Sequence, residues 1–182
     1  MIKERLNPVL PYAGIPVIGA ITLIIWAVRL QPLIMLWYEL LVILGYVAAV
    51  LDIKAKKIPN ALVLAMIAAW ILIMTPQLFM DTDSAITLMA SSALGFAVGG
   101  GLFLLVYFVS RKGLGGGDVK FMAAAGLYLG FEGVLPSMLV GTVLASLFSL
   151  TLIILKKISR KDTIPLAPFL YAGILFTILF SG

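Results

Sequence analysis

Residues 112–131 read KGLGGGDVKFMAAAGLYLGF, a glycine cluster that runs into an aspartate and then into a short apolar stretch. The apolar part, about 118–131, is shorter than the roughly 20 residues that a helix needs to cross the hydrocarbon core of a bilayer. It is either a short span or a segment buried among other helices. Whether it crosses decides the side of the membrane on which every later segment lies.

The rest of the chain has the composition of an integral membrane protein. Of its 182 residues, 63% are hydrophobic and 12% are charged, and the mean hydropathy is +1.17. Soluble domains have about a quarter charged residues, so this chain has too few polar side chains to cover a globule in water. It contains no cysteine and no histidine, which excludes disulfides, thiol nucleophiles, Ser-His triads and zinc-finger sites. We expect no metal and no cofactor.

Long apolar runs predict the other membrane spans. They lie near 8–28, 33–51, 59–78, 85–109, 134–155 and 164–181. The predicted fold is an all-α, polytopic transmembrane helical bundle of about six to seven spans, with a helix broken by glycines before Asp118. No loop is long enough for an appended soluble domain. We therefore predict one membrane domain over 1–182, in which about 1–32 adds an N-terminal span to a core of 35–182.

The basic residues fall on one side if the short stretch crosses the membrane. Eleven of the thirteen lie there, namely Lys3, Arg5, Lys54, Lys56, Lys57, Arg111, Lys112, Lys156, Lys157, Arg160 and Lys161. Basic residues accumulate in cytoplasmic loops, so we predict seven spans in the inner membrane of the cell, with the N-terminus at the cytoplasmic face. The positive charge then reflects topology and contact with the bilayer, and no nucleic-acid partner is expected.

Most acidic residues have ordinary explanations. Glu39 falls near the outer end of a span, where lipid headgroups solvate a carboxylate, and Asp83 or Ser84 is placed to cap the following helix. Asp52 and Asp118 differ, because both lie at the predicted cytoplasmic boundary beside apolar stretches that have to be buried. A charge is costly in such a place. Either residue alone could cap a helix or pair with a lysine.

Two aspartates at the same depth could also meet across a helix interface and act as a pair. Like charges a few ångströms apart cannot both ionise, so such a pair shares a proton. The ionised member can take a proton from a water molecule that attacks a carbonyl group. The protonated member can polarise the carbonyl oxygen and then protonate the leaving amine. The sequence does not assign these two roles to Asp52 and Asp118.

Supporting residues flank both aspartates. Gly115 and Gly117 let the backbone approach a neighbouring helix or an extended substrate, and they permit non-helical dihedral angles before Asp118. Pro59 fixes the start of the third span, and Asn60 adds a polar group to its first turn. Lys120 orients Asp118, neutralises the unbound pair or extends to the membrane interface, and these alternatives stay open.

Three segments together resemble the type IV prepilin peptidases, which are membrane-embedded aspartyl proteases of the GxGD class. They are LDIKAKKIPNALV (51–63), GLGGGDVKFMAAAGLYLG (113–130) and TIPLAPFLYAG (163–173). The resemblance covers about residues 35–182. It implies that Asp52 and Asp118 are catalytic. It also implies that the substrate is the cytoplasmic leader of a prepilin or pseudopilin, cut after a glycine close to the pilin's hydrophobic helix.

The chain departs from the longer members of that family. Those members carry a cytoplasmic domain near the N-terminus with a paired-cysteine zinc site, which N-methylates the new pilin terminus. The corresponding loop here is short and cysteine-free, so we expect peptidase activity without methyltransferase activity and without zinc. Archaeal preflagellin peptidases share the GxGD motif, so an archaeal substrate stays open, as does a homo-oligomer.

Two other classes of function are compatible with the same residues. A small ion- or proton-coupled transporter could use the two aspartates as a relay and the glycine break as a gate. A non-catalytic assembly factor of a pilus or secretion machine is the third hypothesis. Loss of one aspartate would favour it, but both are present.

Overall fold

The computed structural model describes residues 14–27, 32–110, 114–159 and 162–180. These residues form six helices and, within the ranges described, no strand, which confirms the all-α prediction. The helices are α1 (Gly14–Ala27), α2 (Pro32–Ala55), α3 (Asn60–Met80), α4 (Thr82–Val109), α5 (Gly116–Ile154) and α6 (Ala167–Phe180). The parts of the predicted first span before residue 14 and after residue 27 lie outside the described residues. So do Lys3, Arg5, Arg111, Lys112, Arg160 and Lys161.

Within the described part of the chain, four of the six helices are long and apolar enough to cross a membrane. They are residues Met35–Ala55 of α2 and the whole of α3, α4 and α5, while α6 is a shorter apolar helix. Large apolar side chains are exposed along their outer faces, for example Leu72 and Phe79. Because such surfaces are stable against lipid rather than water, the structure is a membrane-spanning helical bundle, as the composition predicts.

Helix α5 folds back on itself at Gly130, whose φ of 64° and ψ of −173° lie outside the helical region. A methyl group on Gly99 of α4 would lie 2.6 Å from the Met122 carbonyl oxygen and 3.0 Å from the Val134 side chain. In a straight helix these two residues would be about 18 Å apart. The short apolar stretch and the run that follows it are therefore two antiparallel passes. We call them the first limb (116–129) and the second limb (131–154).

The first limb packs against α4 through glycines. Gly95 of α4 and Gly126 of the first limb bring their backbones into direct contact, so that a methyl group on either would overlap the other's backbone. This approach buries one face of the first limb completely, including Phe121 and Met122. The first limb is thus held at a fixed depth, and with it Asp118 in its first turn.

One end of the bundle gathers the end of α2, the starts of α3 and α5, and the extended segment 162–166 before α6. Helix α2 finishes with the Lys56 N–H donating to the Asp52 carbonyl at 2.7 Å, and Lys56 has a left-handed φ of 49°. Its ammonium group reaches across to donate to the Thr163 carbonyl at 2.9 Å. This contact ties the end of α2 to the chain that leads into α6.

The cap of α4 differs from the prediction. The helix begins at Thr82, and its cap is Asp81, whose side chain accepts a hydrogen bond from the Ser84 N–H at 3.2 Å. The assignment of this role to Asp83 or Ser84 was wrong, because the helix starts three residues before the apolar run at which we placed it. Both of those residues lie inside the first turn.

The prediction for Glu39 was also wrong. Its side chain is buried, with 7% of its surface exposed, rather than solvated by headgroups. Helix α1 covers it, because Gly19 has no side chain and lets α1 pack directly on the carboxylate. A methyl group at Gly19 would lie 2.8 Å from Glu39 Oε1. The sequence places Glu39 near a span end but does not reveal that a neighbouring helix covers it.

Candidate active site

Asp52 lies in the last turn of α2 and is buried, with 5% of its surface exposed. Its Oδ2 accepts a hydrogen bond of 3.0 Å from the backbone N–H of Ala167, the first residue of α6. The backbone N–H of Leu166 also faces this carboxyl group. Asp52 therefore accepts one of the N–H groups that have no partner within the helix at the amino-terminal end of α6. A residue of α2 thus fixes where α6 begins.

Asp118 is the third residue of α5 and is also buried, with 8% of its surface exposed. Gly115 precedes the helix as its cap residue, and its N–H donates back to the Asp118 carboxyl. An acidic side chain at the third helical position commonly bonds the cap residue in this way. The other oxygen, Oδ1, is buried and has no hydrogen-bond partner among the residues that the structure describes.

The spacing of the glycine motif follows from this geometry. A methyl group on Gly115 would lie 2.6 Å from Asp118 Oδ2, and one on Gly117 would lie 3.2 Å from the Ile58 Cβ. A methyl group on Gly116 would meet nothing within 4 Å. The first and third glycines are therefore sites of close approach, and the middle one is not. The chain is extended at Gly115 (φ −71°, ψ 134°), and the helix begins at the next residue.

Asp52 and Asp118 face one cavity of about 390 Å³, and the two carboxyl groups are near enough for their charges to interact. The volume exceeds that of several water molecules, each of which takes about 30 Å³ in the liquid. The other residues around this cavity are Lys56, Lys57, Ile58, Asn60, Gly115, Gly116, Gly117 and Lys120. The structure thus brings every site residue named from the sequence to this cavity or its rim. Pro59 stands between two of them as the cap of α3.

Lys120 contacts Asn60 rather than Asp118. Its ammonium group donates to Asn60 Oδ1 at 3.0 Å and so joins the first limb of α5 to the start of α3. This bond links α5, which carries Asp118, to α3, the helix that follows the one carrying Asp52. Lys120 and Asn60 are therefore placed to hold the cavity at a fixed width.

A second cavity of about 680 Å³ opens on the other side of Asp118. It lies between the second limb and the segment 162–166, and it shares Gly115 and Asp118 with the first cavity. Its wall on the second limb combines the hydroxyl side chains of Thr142, Ser146 and Ser149 with the apolar side chains of Ala145, Leu150 and Ile153. Asp118 therefore lines both cavities.

Sequence reasoning missed the backbone groups that act on Asp52. Ala167 and Leu166 carry no chemical group in their side chains, so nothing about their residue types singles them out. The sequence feature that could have indicated a helix start here was the pair of prolines around them, Pro165 and Pro168. Proline favours the entry and first turn of a helix. A helix start at the predicted depth of Asp52 would have suggested the contact.

Comparison with known proteins agrees with the motifs. The sequence profile of the type IV leader peptidase family matches residues 39–181. A prepilin leader peptidase/N-methyltransferase of Bacillus subtilis (strain 168) is 25% identical over 136 residues, covering 74% of this chain and 52% of that protein. A protein of the same name from Xanthomonas campestris pv. campestris is 26% identical over 125 residues, covering 66% and 41%.

The chain spans about half the length of these relatives. No solved structure gives a significant match. The family profile, however, extends over well more than half of the chain and includes both aspartates and the glycine motif. The chain therefore belongs to the type IV leader peptidase family.

Proposed function

We propose that this protein is a membrane-embedded aspartic endopeptidase that removes the cytoplasmic leader from a prepilin or a pilin-like protein. One observation carries the proposal: Asp52 and Asp118, on different helices, are both buried and face the same cavity. Two carboxyl groups around a space that holds water are the apparatus with which aspartic proteases activate that water. The names of both relatives include leader peptidase activity.

The reaction needs one ionised and one protonated carboxyl group. The ionised carboxylate takes a proton from water while the water oxygen bonds to the scissile carbonyl carbon. The protonated carboxyl gives its proton to the carbonyl oxygen. When the tetrahedral intermediate collapses, the C–N bond breaks, and the departing nitrogen takes the proton that came from water. The products are a new carboxyl terminus on the leader and a new amino terminus on the pilin.

The position of the cavity fits a substrate that is itself anchored in the membrane. The cavity lies at the end of the bundle that carries Lys54, Lys56 and Lys57, which the charge distribution assigns to the cytoplasmic face of the inner membrane. A pilin's apolar helix would stay in the bilayer while its leader unwinds into the site. The proposal is limited to peptidase activity, because only residues 28–31 separate α1 from α2, where longer members carry their methyltransferase domain.

The experiment is cleavage of a co-expressed prepilin, scored by loss of the leader. We expect Asp52→Asn and Asp118→Asn each to lower cleavage by about 100-fold or more, the usual worth of an acid or base group. Asp83→Asn, at the exposed far end of the bundle, is the matched control and should cleave normally. All variants are compared at equal membrane levels. Normal cleavage by either of the first two variants would show that the replaced residue is not catalytic. The transporter and assembly-factor hypotheses would then be favoured.

A further inference from the structure

We infer that the two aspartates are not equivalent at rest: Asp52 carries the negative charge, held by the first N–H groups of α6, and Asp118 carries the proton. This inference rests on the proposed function and assigns its two roles. It makes Asp52 the base and Asp118 the acid. It also makes Ala167 a positioning residue that acts through its backbone rather than its side chain.

Burial disfavours a charge at both aspartates, but only Asp52 is surrounded by several groups that stabilise a carboxylate. One of its oxygens accepts the Ala167 N–H at 3.0 Å, and the Leu166 N–H points to the same group. These donors belong to the amino-terminal end of a helix, which favours negative charge. Lys56, four residues further along the chain, adds a favourable cation. Removing the charge from Asp52 would leave these donors with a weaker partner.

The surroundings of Asp118 are those of a neutral acid. Asp118 Oδ1 is buried and has no hydrogen-bond partner among the described residues, and an ionised oxygen in that situation is expensive. The charge of Asp52 also acts on Asp118 across the cavity. A proton on the Asp118 carboxyl group removes the charge on which both penalties depend, and it supplies a donor at the cavity that both aspartates line. That donor is what a substrate carbonyl oxygen requires.

Two features favour a charge on Asp118, and neither reverses the assignment. Asp118 also lies in the first turn of a helix, and the Gly115 N–H donates to it. Asp52 has the same kind of helix end with one more donor, so the comparison still favours Asp52. Among the residues that the structure describes, the cations around the cavity are Lys56, Lys57 and Lys120. The hydrogen bonds of two of them go elsewhere, since Lys56 donates to Thr163 and Lys120 to Asn60.

The assignment fixes the direction of proton transfer in the reaction. Asp52 takes the proton from water as the water oxygen bonds to the carbonyl carbon. Asp118 gives its proton to the carbonyl oxygen, which becomes a hydroxyl of the intermediate. On collapse Asp118 takes that proton back, Asp52 gives its proton to the departing nitrogen, and the C–N bond breaks. Both residues return to their starting states.

The first test is solid-state NMR of the unmodified protein in lipid bilayers with ¹³C- and ¹⁵N-labelled protein. The side-chain carboxyl carbons are assigned through their neighbours, Leu51 and Ile53 for Asp52, and Gly117 and Val119 for Asp118. We expect the chemical shift of a carboxylate for Asp52 and that of a carboxylic acid for Asp118. The reverse pattern, or the same intermediate shift for both, would overturn the inference. No substitution is needed, so the pair is not disturbed.

The second test removes the N–H of Ala167 and leaves every side chain unchanged. Replacing Ala167 by L-lactic acid converts its amide into an ester and deletes the donor to Asp52. The same replacement at Ala172, in the middle of α6, is the matched control, because it removes one hydrogen bond from the same helix away from the cavity. We expect the ester at 167 to lower kcat by about tenfold or more with KM nearly unchanged, the worth of a hydrogen bond to a charged group.

The two esters together separate a local effect on Asp52 from a general weakening of α6. The ester at 172 should retain kcat within about threefold, since it loses only a neutral hydrogen bond. Equal losses for both esters would show that Ala167 has no positioning role. The proposed function is tested separately by cleavage in the unmodified protein. If that protein cleaves prepilin but both tests fail, the peptidase stands and the assignment of roles falls.

Discussion

The backbone of Gly115 lies directly against the carboxyl group of Asp118. A methyl group there would lie 2.6 Å from Asp118 Oδ2, and the backbone φ of −71° is one that alanine adopts freely. The conflict is therefore with the far end of one side chain and not with the fold. It can be relieved by a rotation of Asp118, which moves the carboxyl group out of place. Gly115 is thus required by the site rather than by stability.

We predict that Gly115→Ala lowers prepilin cleavage by at least about tenfold while the unfolding temperature in detergent stays close to that of the parent. A carboxyl group displaced by about 1 Å loses this much or more in rate. Gly116→Ala is the control, because a methyl group there meets nothing within 4 Å, and it should cleave normally. Equal activity of the two variants would contradict a steric role for Gly115.

At the scale of elements, the reversal within α5 depends on Gly130. Its φ of 64° and ψ of −173° form a combination that is populated almost only by glycine. A methyl group would also lie 2.5 Å from Ser91 Oγ of α4, the atom that accepts a hydrogen bond from the Phe131 N–H. A side chain at position 130 would therefore disturb both the turn and the hydrogen bond at the start of the second limb.

We predict that Gly130→Ala lowers the free energy of unfolding, measured by SDS titration, by roughly 1–3 kcal/mol, the strain of that backbone conformation. Gly101→Ala in α4 is the control, since a methyl group there meets nothing within 4 Å and its backbone is helical. The control should be as stable as the parent. A stable Gly130→Ala variant would mean that the limbs can reverse without a left-handed residue.

The cap residue of α4, Asp81, makes the stability of this helix depend on pH. Hydrogen bonds from the Ser84 side chain and backbone N–H favour the ionised carboxylate and lower the pKa of Asp81 from its usual value. A lowered pKa in the folded state gives stability above the unfolded pKa of about 3.9, and this stability is lost as the pH falls through the folded pKa.

We predict that Asp81→Ala unfolds at a lower temperature than the parent at neutral pH, and that the difference shrinks below about pH 4. Asp81→Asn keeps an oxygen that can accept the Ser84 N–H, so its loss should be smaller. Thermal unfolding in detergent from neutral to acidic pH measures all three proteins. A difference that does not depend on pH would show that the charge of Asp81 does not contribute to the cap.

At the scale of the whole molecule, successive helices run in opposite directions. The cavity between Asp52 and Asp118 therefore lies at one end of the bundle, and the connection between α3 and α4 at Asp81 lies at the other. The chain contains no cysteine, so single cysteines can report the side on which each exposed residue lies. Lys156, after the second limb, and Asp83, at the start of α4, are both exposed. The basic residues near Lys156 predict that it lies at the cytoplasmic face.

We predict that a membrane-impermeant maleimide labels Asp83→Cys in intact spheroplasts, and labels Lys156→Cys only after the membrane is opened. The unsubstituted protein is the blank, and leader removal by each variant shows that it is folded. Labelling of Lys156→Cys in intact spheroplasts would reverse the orientation and place the aspartate cavity outside the cell.

Composition, apolar run length and charge placement determined much of this protein by themselves. They give the all-α membrane bundle, the two passes on either side of Gly130, and the pair Asp52 and Asp118 at one depth. These properties depend on transfer into the bilayer, which each segment undergoes largely on its own, so they can be read locally along the chain.

Only the tertiary structure decided which groups surround each carboxyl. The bond from the Ala167 N–H to Asp52, the bond from Lys120 to Asn60 and the packing of α1 on Glu39 all join segments distant in sequence. The burial of Asp118 Oδ1 likewise depends on the packing of neighbouring segments. Such contacts arise when helices pack at distances of a few ångströms, where glycines and backbone groups without distinctive side chains determine the fit. The residue types predicted the chemistry of Asp52 and Asp118 as a pair. They did not predict the inferred difference in protonation between the two, because that difference depends on the groups packed around each carboxyl.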